Sequence, residues 1–104
     1  MRAGVKQAEP VVLKGVRYEV VRGGRGRGLG QNGGLIAAIQ QDTGQELWVL
    51  KVYEVAYDGK MEDDKQDVLI TGLTASRWRN CLSLKNERGE RYEVDLDTRQ
   101  VTKR

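Results

Sequence analysis

Two apolar runs separated by a short turn constrain the fold of this chain more than any other feature. The stretch Leu35–Tyr57 reads LIAAIQQDTGQELWVLKVYEVAY, and Asp42-Thr43-Gly44 divides it. Gly44 can adopt a positive φ without a Cβ clash, as the last residue of a three-residue hairpin connection must. The pattern therefore predicts a β-hairpin. A short helix over 35–41 is the alternative that its alanines and glutamines permit.

Alternation of apolar and polar residues predicts six further strands around this hairpin. We expect them at 11–13, 16–21, 68–73, 82–84, 92–96 and 100–102. Lys14-Gly15 and Glu87-Arg88-Gly89 are expected to form tight turns. The run 47–57 is apolar on both phases of the alternation, which predicts a central strand, and its length predicts a bulge. The fold class is therefore all-β, a small antiparallel barrel or sandwich of seven to eight strands.

The first hairpin also carries a resemblance to a known family. Ala38, Thr43, Gly44, Glu46 and Trp48 fall at the spacing of an A-x-D-x-x-T-G-x-E-x-W repeat, with a glutamine at the Asp position. That repeat resembles one blade of the pyrroloquinoline-quinone-type β-propellers, in which the Trp docks one blade on the next. A closed propeller needs at least four blades of about 40 residues, more than this chain can supply. The resemblance implies a hairpin with a packing Trp48, without a quinone site or dehydrogenase activity.

Length and composition predict one domain over residues 10–104, preceded by a flexible N-terminus at 1–9. No apolar run approaches the roughly 18 residues of a membrane span, and no signal-peptide core begins the chain. We therefore expect a cytoplasmic protein without membrane contact. Cys81 is the sole cysteine, which excludes an intramolecular disulfide, and we expect it to be buried and inert.

The chain contains no histidine, which removes several classes of chemistry. Ser-His-Asp and Cys-His catalytic arrangements are impossible, and so are His-ligated metal sites. Gly28, Gly30 and Gly33 match G-x-G-x-x-G, but the long helix that a dinucleotide site requires is not predicted after them. The acidic cluster within 62–67 lacks the spacing of an EF-hand loop. We predict no enzymatic activity, no cofactor and no metal.

Two arginine-bearing segments are the candidate interaction sites. Arg22, Arg25 and Arg27 lie in the stretch 22–34, which has seven glycines in thirteen residues and resembles an RGG box of RNA-binding proteins. Guanidinium groups pair with phosphates and stack on bases, and glycines let the backbone follow a strand. The other reading of this stretch is a long connection that packs near a neighbouring subunit.

The second segment is Arg77-Trp78-Arg79, in a predicted turn where Trp78 is expected to be exposed. The main hypothesis is a non-catalytic binding or assembly module that forms a homo-oligomer through 22–34 or 77–79, since uneven charge along the chain suits self-association. The alternative hypothesis is RNA or single-stranded DNA binding by the arginines of both segments with Trp78. That alternative requires the two segments to share one face.

Overall fold

A computed structural model of the chain describes residues 6–55 and 67–104, which form eight strands in two four-stranded antiparallel sheets. Within each sheet the strands follow one another in chain order. The first sheet contains β1 (Val11–Leu13), β2 (Val16–Val20), β3 (Leu35–Gln40) and β4 (Glu46–Lys51), and the second contains β5 (Ile70–Ser76), β6 (Cys81–Asn86), β7 (Arg91–Asp95) and β8 (Val101–Lys103). The predicted all-β fold is confirmed as a sandwich-like arrangement, and the helical alternative at 35–41 is wrong.

A hydrophobic core lies between the two sheets. Every second residue of the inner strands points into it, so that burial of apolar area holds the sheets together. Its main members are Tyr18, Val20, Ile36 and Ala38 from the first sheet and Ile70, Leu82, Leu84 and Val94 from the second. The predicted pairing of Leu82 and Leu84 with Val94 and Tyr92 is confirmed by the register of β6 and β7.

The strand covered on both sides is β3, not β4. Leu35, Ala37 and Ile39 face away from the core and are buried in a second, smaller cluster. β4 is an edge strand that pairs only with β3 among the described residues, so the prediction of a central strand at 47–57 is wrong. Trp48, Val49 and Leu50 are half-buried and Leu47 is exposed, and alternation of residue types cannot distinguish partial from full burial. The predicted bulge is present, because the register shift at Ala38/Ile39 leaves Leu47 outside the ladder.

One turn type occurs in both sheets. Gly44 has φ 75°, as predicted, and its N–H donates to the Gln40 carbonyl at 2.8 Å. The connection between the two strands, 41–45, has five residues, two more than expected. The turn between β7 and β8 repeats this geometry, since the Arg99 N–H donates to the Asp95 carbonyl at 2.6 Å. Arg99 has φ 62°. A non-glycine residue in that left-handed region costs about 1 kcal/mol.

The segment before β1 is attached to the second sheet. The Ala8 N–H donates to the Ile70 carbonyl at 3.0 Å, and Gln7 and Ala8 are buried. The rest of the predicted flexible N-terminus, at 1–5, lies outside the described residues, as does the acidic part of the loop at 56–66. No helix in the described parts of the chain is long and apolar enough to cross a membrane.

Candidate binding surfaces

The glycine-rich stretch 22–34, here called the covering loop, packs over the outer face of the first sheet. Its Leu29 contacts the cluster formed by Val21, Leu35, Ala37 and Ile39. Gly24 begins a single 3-10 turn at Gly24–Arg27 and is buried, and a Cβ there would collide with the Gln31 carbonyl. The glycines therefore allow a close approach of backbone to backbone within one chain.

Gln31 supplies the hydrogen bonds that hold the covering loop in place. Its side chain is only 1% exposed, and its Nε2 donates to the carbonyls of Gly33 at 2.7 Å and Tyr53 at 2.8 Å. Its Oε1 accepts from the Val55 N–H at 3.1 Å. Other backbone groups of the covering loop are also bonded inside the chain, since the Leu29 N–H donates to the Gly24 carbonyl and the Gly34 carbonyl accepts from the Val52 N–H. These groups need no second subunit, and oligomerisation through 22–34 stays a prediction.

The arginines of the covering loop lie on the first-sheet side of the molecule. The Arg27 Nη2 donates to both carboxylate oxygens of Glu46, at 2.8 and 3.0 Å. Arg22 and Arg25 are exposed, and the backbone N–H of Arg25 donates to Asn32 Oδ1 at 3.1 Å. Glu46 is opposite Ile39, whose side chain faces away from the core. These arginines therefore border the outer face of the first sheet.

The Arg77-Trp78-Arg79 turn lies between β5 and β6, and Trp78 is 98% exposed. The Arg79 Nη2 donates to Glu93 Oε1 at 2.9 Å. Glu93 stands between the core residues Tyr92 and Val94, so it faces the outer side of the second sheet. The exposure expected for Trp78 is confirmed. Arg27 and Arg79 thus reach opposite outer faces, which argues against joint use of the two arginine-bearing segments in nucleic-acid binding.

Three basic residues that lie outside both arginine-bearing segments form a row across the second sheet. Lys85 is directly opposite Arg91, and the Arg104 N–H donates to the Arg91 carbonyl at 2.8 Å, so Lys85, Arg91 and Arg104 follow one another across β6, β7 and the end of β8. All three are exposed. The alternation in CLSLK and RYEVD could have placed Lys85 and Arg91 outward, but their juxtaposition needs the register. We call these residues the cationic row.

A shallow groove of about 390 Å³ adjoins the cationic row. Its floor consists of small residues, namely Gly72 and the hydroxyl-bearing Thr74 and Ser83, and Glu93 is the acidic residue that lines it. Glu93 already accepts from Arg79 and, at 2.6 Å, from Arg104, and that hydrogen bond raises the pKa of Arg104. Neither Lys85 nor Arg91 pairs with an acidic group among the described residues. The groove therefore combines hydroxyl donors with two cations that lack counter-charges.

The tyrosine at the loop-sheet junction offers no base for catalysis. Burial raises the pKa of the Tyr53 phenol, and the electrostatic interaction with the Tyr92 phenol group raises it further. The two rings stack with their centroids 5.1 Å apart. The hydroxyl donates to the Val68 carbonyl at 2.5 Å. The phenol stays protonated at neutral pH and acts as a structural donor. The described residues also include no group of three or more His, Cys, Asp or Glu that could hold a metal ion.

The two tryptophans have different surroundings. Trp48 on β4 packs against the core beside Tyr18, with ring centroids 5.9 Å apart, and the Arg99 guanidinium lies 5.7 Å from its ring centroid. Trp78 has no such enclosure. The residues that carry the propeller resemblance thus form a hairpin with a packing Trp, and the resemblance itself stays a prediction. No protein-family model matches this chain, and no curated protein sequence matches it.

Proposed function

We propose that this protein is a non-catalytic binding module that holds a single-stranded nucleic acid on the outer face of its second sheet. The observation that carries the proposal is that Lys85 lies directly opposite Arg91 and that neither forms an ion pair with an acidic group in the part of the chain that the structure describes. Like charges at directly opposite positions on adjacent strands destabilise a sheet. A bound phosphate removes that repulsion, so the free-energy cost in the free protein becomes a gain in affinity.

The dimensions of the surface suit a polymer better than a single anion. The cationic row crosses three adjacent strands, a distance of about 10 Å at the usual strand spacing. Along β6 the five-residue separation of Lys85 from Asn80, next to the Trp78 turn, corresponds to about 17 Å. Arg79 connects the two regions, because its side chain reaches from the turn to Glu93 on the same face. A segment of a few nucleotides therefore spans the row and the turn.

Trp78 favours a single strand over a duplex. An indole that is 98% exposed can stack on an unpaired base, whereas the faces of duplex bases are already stacked on each other. Thr74 and Ser83 add hydroxyl donors for phosphate oxygens. Of the residues expected from the sequence, Arg77, Trp78 and Arg79 remain in the proposed site and Arg22, Arg25 and Arg27 do not. We also propose a cytoplasmic location, where single-stranded RNA is present.

The test is fluorescence anisotropy with a labelled mixed-sequence RNA 15-mer at two salt concentrations. Lys85→Glu/Arg91→Glu should weaken binding by tenfold or more and reduce the salt slope by about 1.4, because two phosphate contacts with a single strand disappear. Trp78→Ala should weaken binding by about fivefold or more with the salt slope unchanged, since stacking is worth roughly 1–3 kcal/mol per base. Arg22→Glu, a matched charge reversal on the opposite face, should change the affinity by less than about twofold.

Three results would overturn the proposal. The first is the absence of binding at about 50 mM salt, where phosphate contacts are strongest. The second is equal affinity for duplex and single-stranded probes, which would assign the face to phosphate backbones in general. The third is tighter binding of a sulfated polysaccharide than of RNA together with no effect of Trp78→Ala, which would assign the surface to another class of polyanion.

A further inference from the structure

The four edge strands of the two sheets differ in how they are protected. β1 and β8 have three residues each, and β5 has a backbone hydrogen bond from Ala8 beside it. β4 has six residues, and no described residue pairs with its outer side. Four of them, Leu47 to Leu50, are apolar, and Leu47 is 45% exposed. Long apolar edges of this kind are templates for pairing with another strand. We infer that β4 pairs with β4 of a second copy of this chain.

The free backbone groups on β4 can be assigned from the ladder with β3. The Val52 N–H donates to the Gly34 carbonyl at 2.7 Å. In an antiparallel pair the hydrogen-bonded positions alternate, so Leu50 and Trp48 also bond to β3. The N–H and C=O of Val49 and Lys51 therefore point away from the sheet. Leu47 is bulged and has no partner in the ladder with β3. When Leu47 is left out of the count, Val49 is the middle residue of β4.

A two-fold axis through the Val49 pair makes β4 complementary to itself. Val49 then exchanges two hydrogen bonds with Val49 of the partner subunit, and Trp48 is opposite Leu50 of the partner subunit. Glu46 is opposite Lys51 of the partner subunit, which gives an acid-base pair at each end. A two-fold axis through Lys51 would instead place the two lysines against each other. Charge and apolar character thus select the register centred on Val49.

The faces of the strand agree with this register. Glu46, Val49 and Lys51 are paired with Ile39, Ala37 and Leu35, which face away from the core. Trp48 and Leu50 are paired with Ala38 and Ile36, which face the core. In every cross-subunit pair, both side chains consequently point to the same side of the joined sheet. The result is a continuous eight-stranded sheet that leaves the cationic row of each subunit accessible.

The acid-base pairs within each subunit do not block the proposed contact. Glu46 binds Arg27 and Lys51 binds Glu54 at 3.3 Å, and the side chains of Glu46 and Lys51 are 38% and 42% exposed. Exposed pairs of this kind contribute little and exchange readily. This interface differs from the ones expected at 22–34 or 77–79, and it rests on the edge of β4 alone. It is therefore independent of nucleic-acid binding.

The first test measures molar mass by light scattering and sedimentation of the full chain at about 1–100 µM, a range that covers micromolar affinities. We expect a concentration-dependent dimer. Glu46→Lys and Lys51→Glu should each weaken it by about tenfold, because both symmetric pairs become repulsive. The double variant Glu46→Lys/Lys51→Glu should restore it. Arg91→Glu, a charge reversal on the second sheet, should leave it unchanged. A monomer throughout this range, or a double variant no better than the single ones, would overturn the inference.

The second test removes the central backbone donor. Val49→Pro deletes an N–H that points away from β3, a position where an edge strand tolerates proline. The variant should keep a cooperative thermal transition and lose the dimer. Leu50→Pro, one residue on, removes a bond to β3 and should unfold the first sheet, which checks the assignment of free and bonded positions. A dimer that persists in Val49→Pro would contradict the proposed pairing, and the charge-exchange series decides the question if Val49→Pro does not fold.

Discussion

The two sheets share a strand order and a turn, yet one has a covered outer face and the other an open one. On the first sheet Leu29 and the covering loop bury Leu35, Ala37 and Ile39. On the second sheet small residues floor an open groove beside the cationic row. The covered face contains the arginines that resemble a nucleic-acid-binding segment, whereas the open face has basic residues scattered along the sequence. The comparison shows that a segment's composition indicates its chemistry, whereas the fold decides which basic residues lie beside an open groove.

The largest change in stability that we expect comes from removing the Gln31 hydrogen bonds that hold the covering loop. Gln31→Leu should destabilise the protein by about 3 kcal/mol, because Tyr53 and Val55 each keep a buried polar group without its partner. Urea unfolding followed by tryptophan fluorescence measures the change. Gln100→Leu is the control: its side chain is exposed, and we expect less than about 0.5 kcal/mol. A cost below about 1 kcal/mol for Gln31→Leu would mean that the covering loop is not held by Gln31.

A smaller change in stability is expected when the residue at positive φ is replaced in the equivalent turns of the two sheets, at Gly44 and at Arg99. Gly44→Arg should cost about 1 kcal/mol, because it introduces a Cβ at φ 75°. Arg99→Gly should change stability by less than about 0.5 kcal/mol, since relief of strain is offset by loss of the Arg99 contact with Trp48. Thermal unfolding of both variants provides the measurement. If Arg99→Gly stabilises by 1 kcal/mol or so, the cation–π contact contributes nothing.

The smallest effect contrasts the charges on the two outer faces. Lys85→Gln should stabilise the protein by a few tenths of a kcal/mol, because it removes repulsion from Arg91. Arg27→Gln should destabilise it by a similar amount, because Glu46 loses its partner. Chemical denaturation at low salt gives the greatest sensitivity, and added salt should reduce both changes. Loss of stability in Lys85→Gln would show that the cationic row serves the fold.

Local patterns predicted the elements of this fold well, because their causes are local. The glycine at position 44 was expected at positive φ, and the Lys14-Gly15 turn joins Leu13 directly to Val16 as predicted. Alternation identified the strands to within about three residues, except that β4 ends at Lys51 and the predicted strand ran to position 57. The candidate site was predicted only in part. Trp78 is exposed, as expected. Lys85 and Arg91, the two basic residues that we propose contact phosphate, were not among the candidates predicted from the sequence.

What the sequence by itself determined is the set of strands, their tight turns and the chemistry that a chain without histidine lacks. Only the tertiary structure decided which strand is an edge, which face is covered and which cations meet. The reason is physical: alternation and turn propensity act over a few residues, whereas edge position and cover depend on contacts between distant segments. Gln31 reaching Tyr53 and Val55, and Lys85 lying beside Arg91, are such contacts. Each follows from strand register and loop packing rather than from the residues on either side.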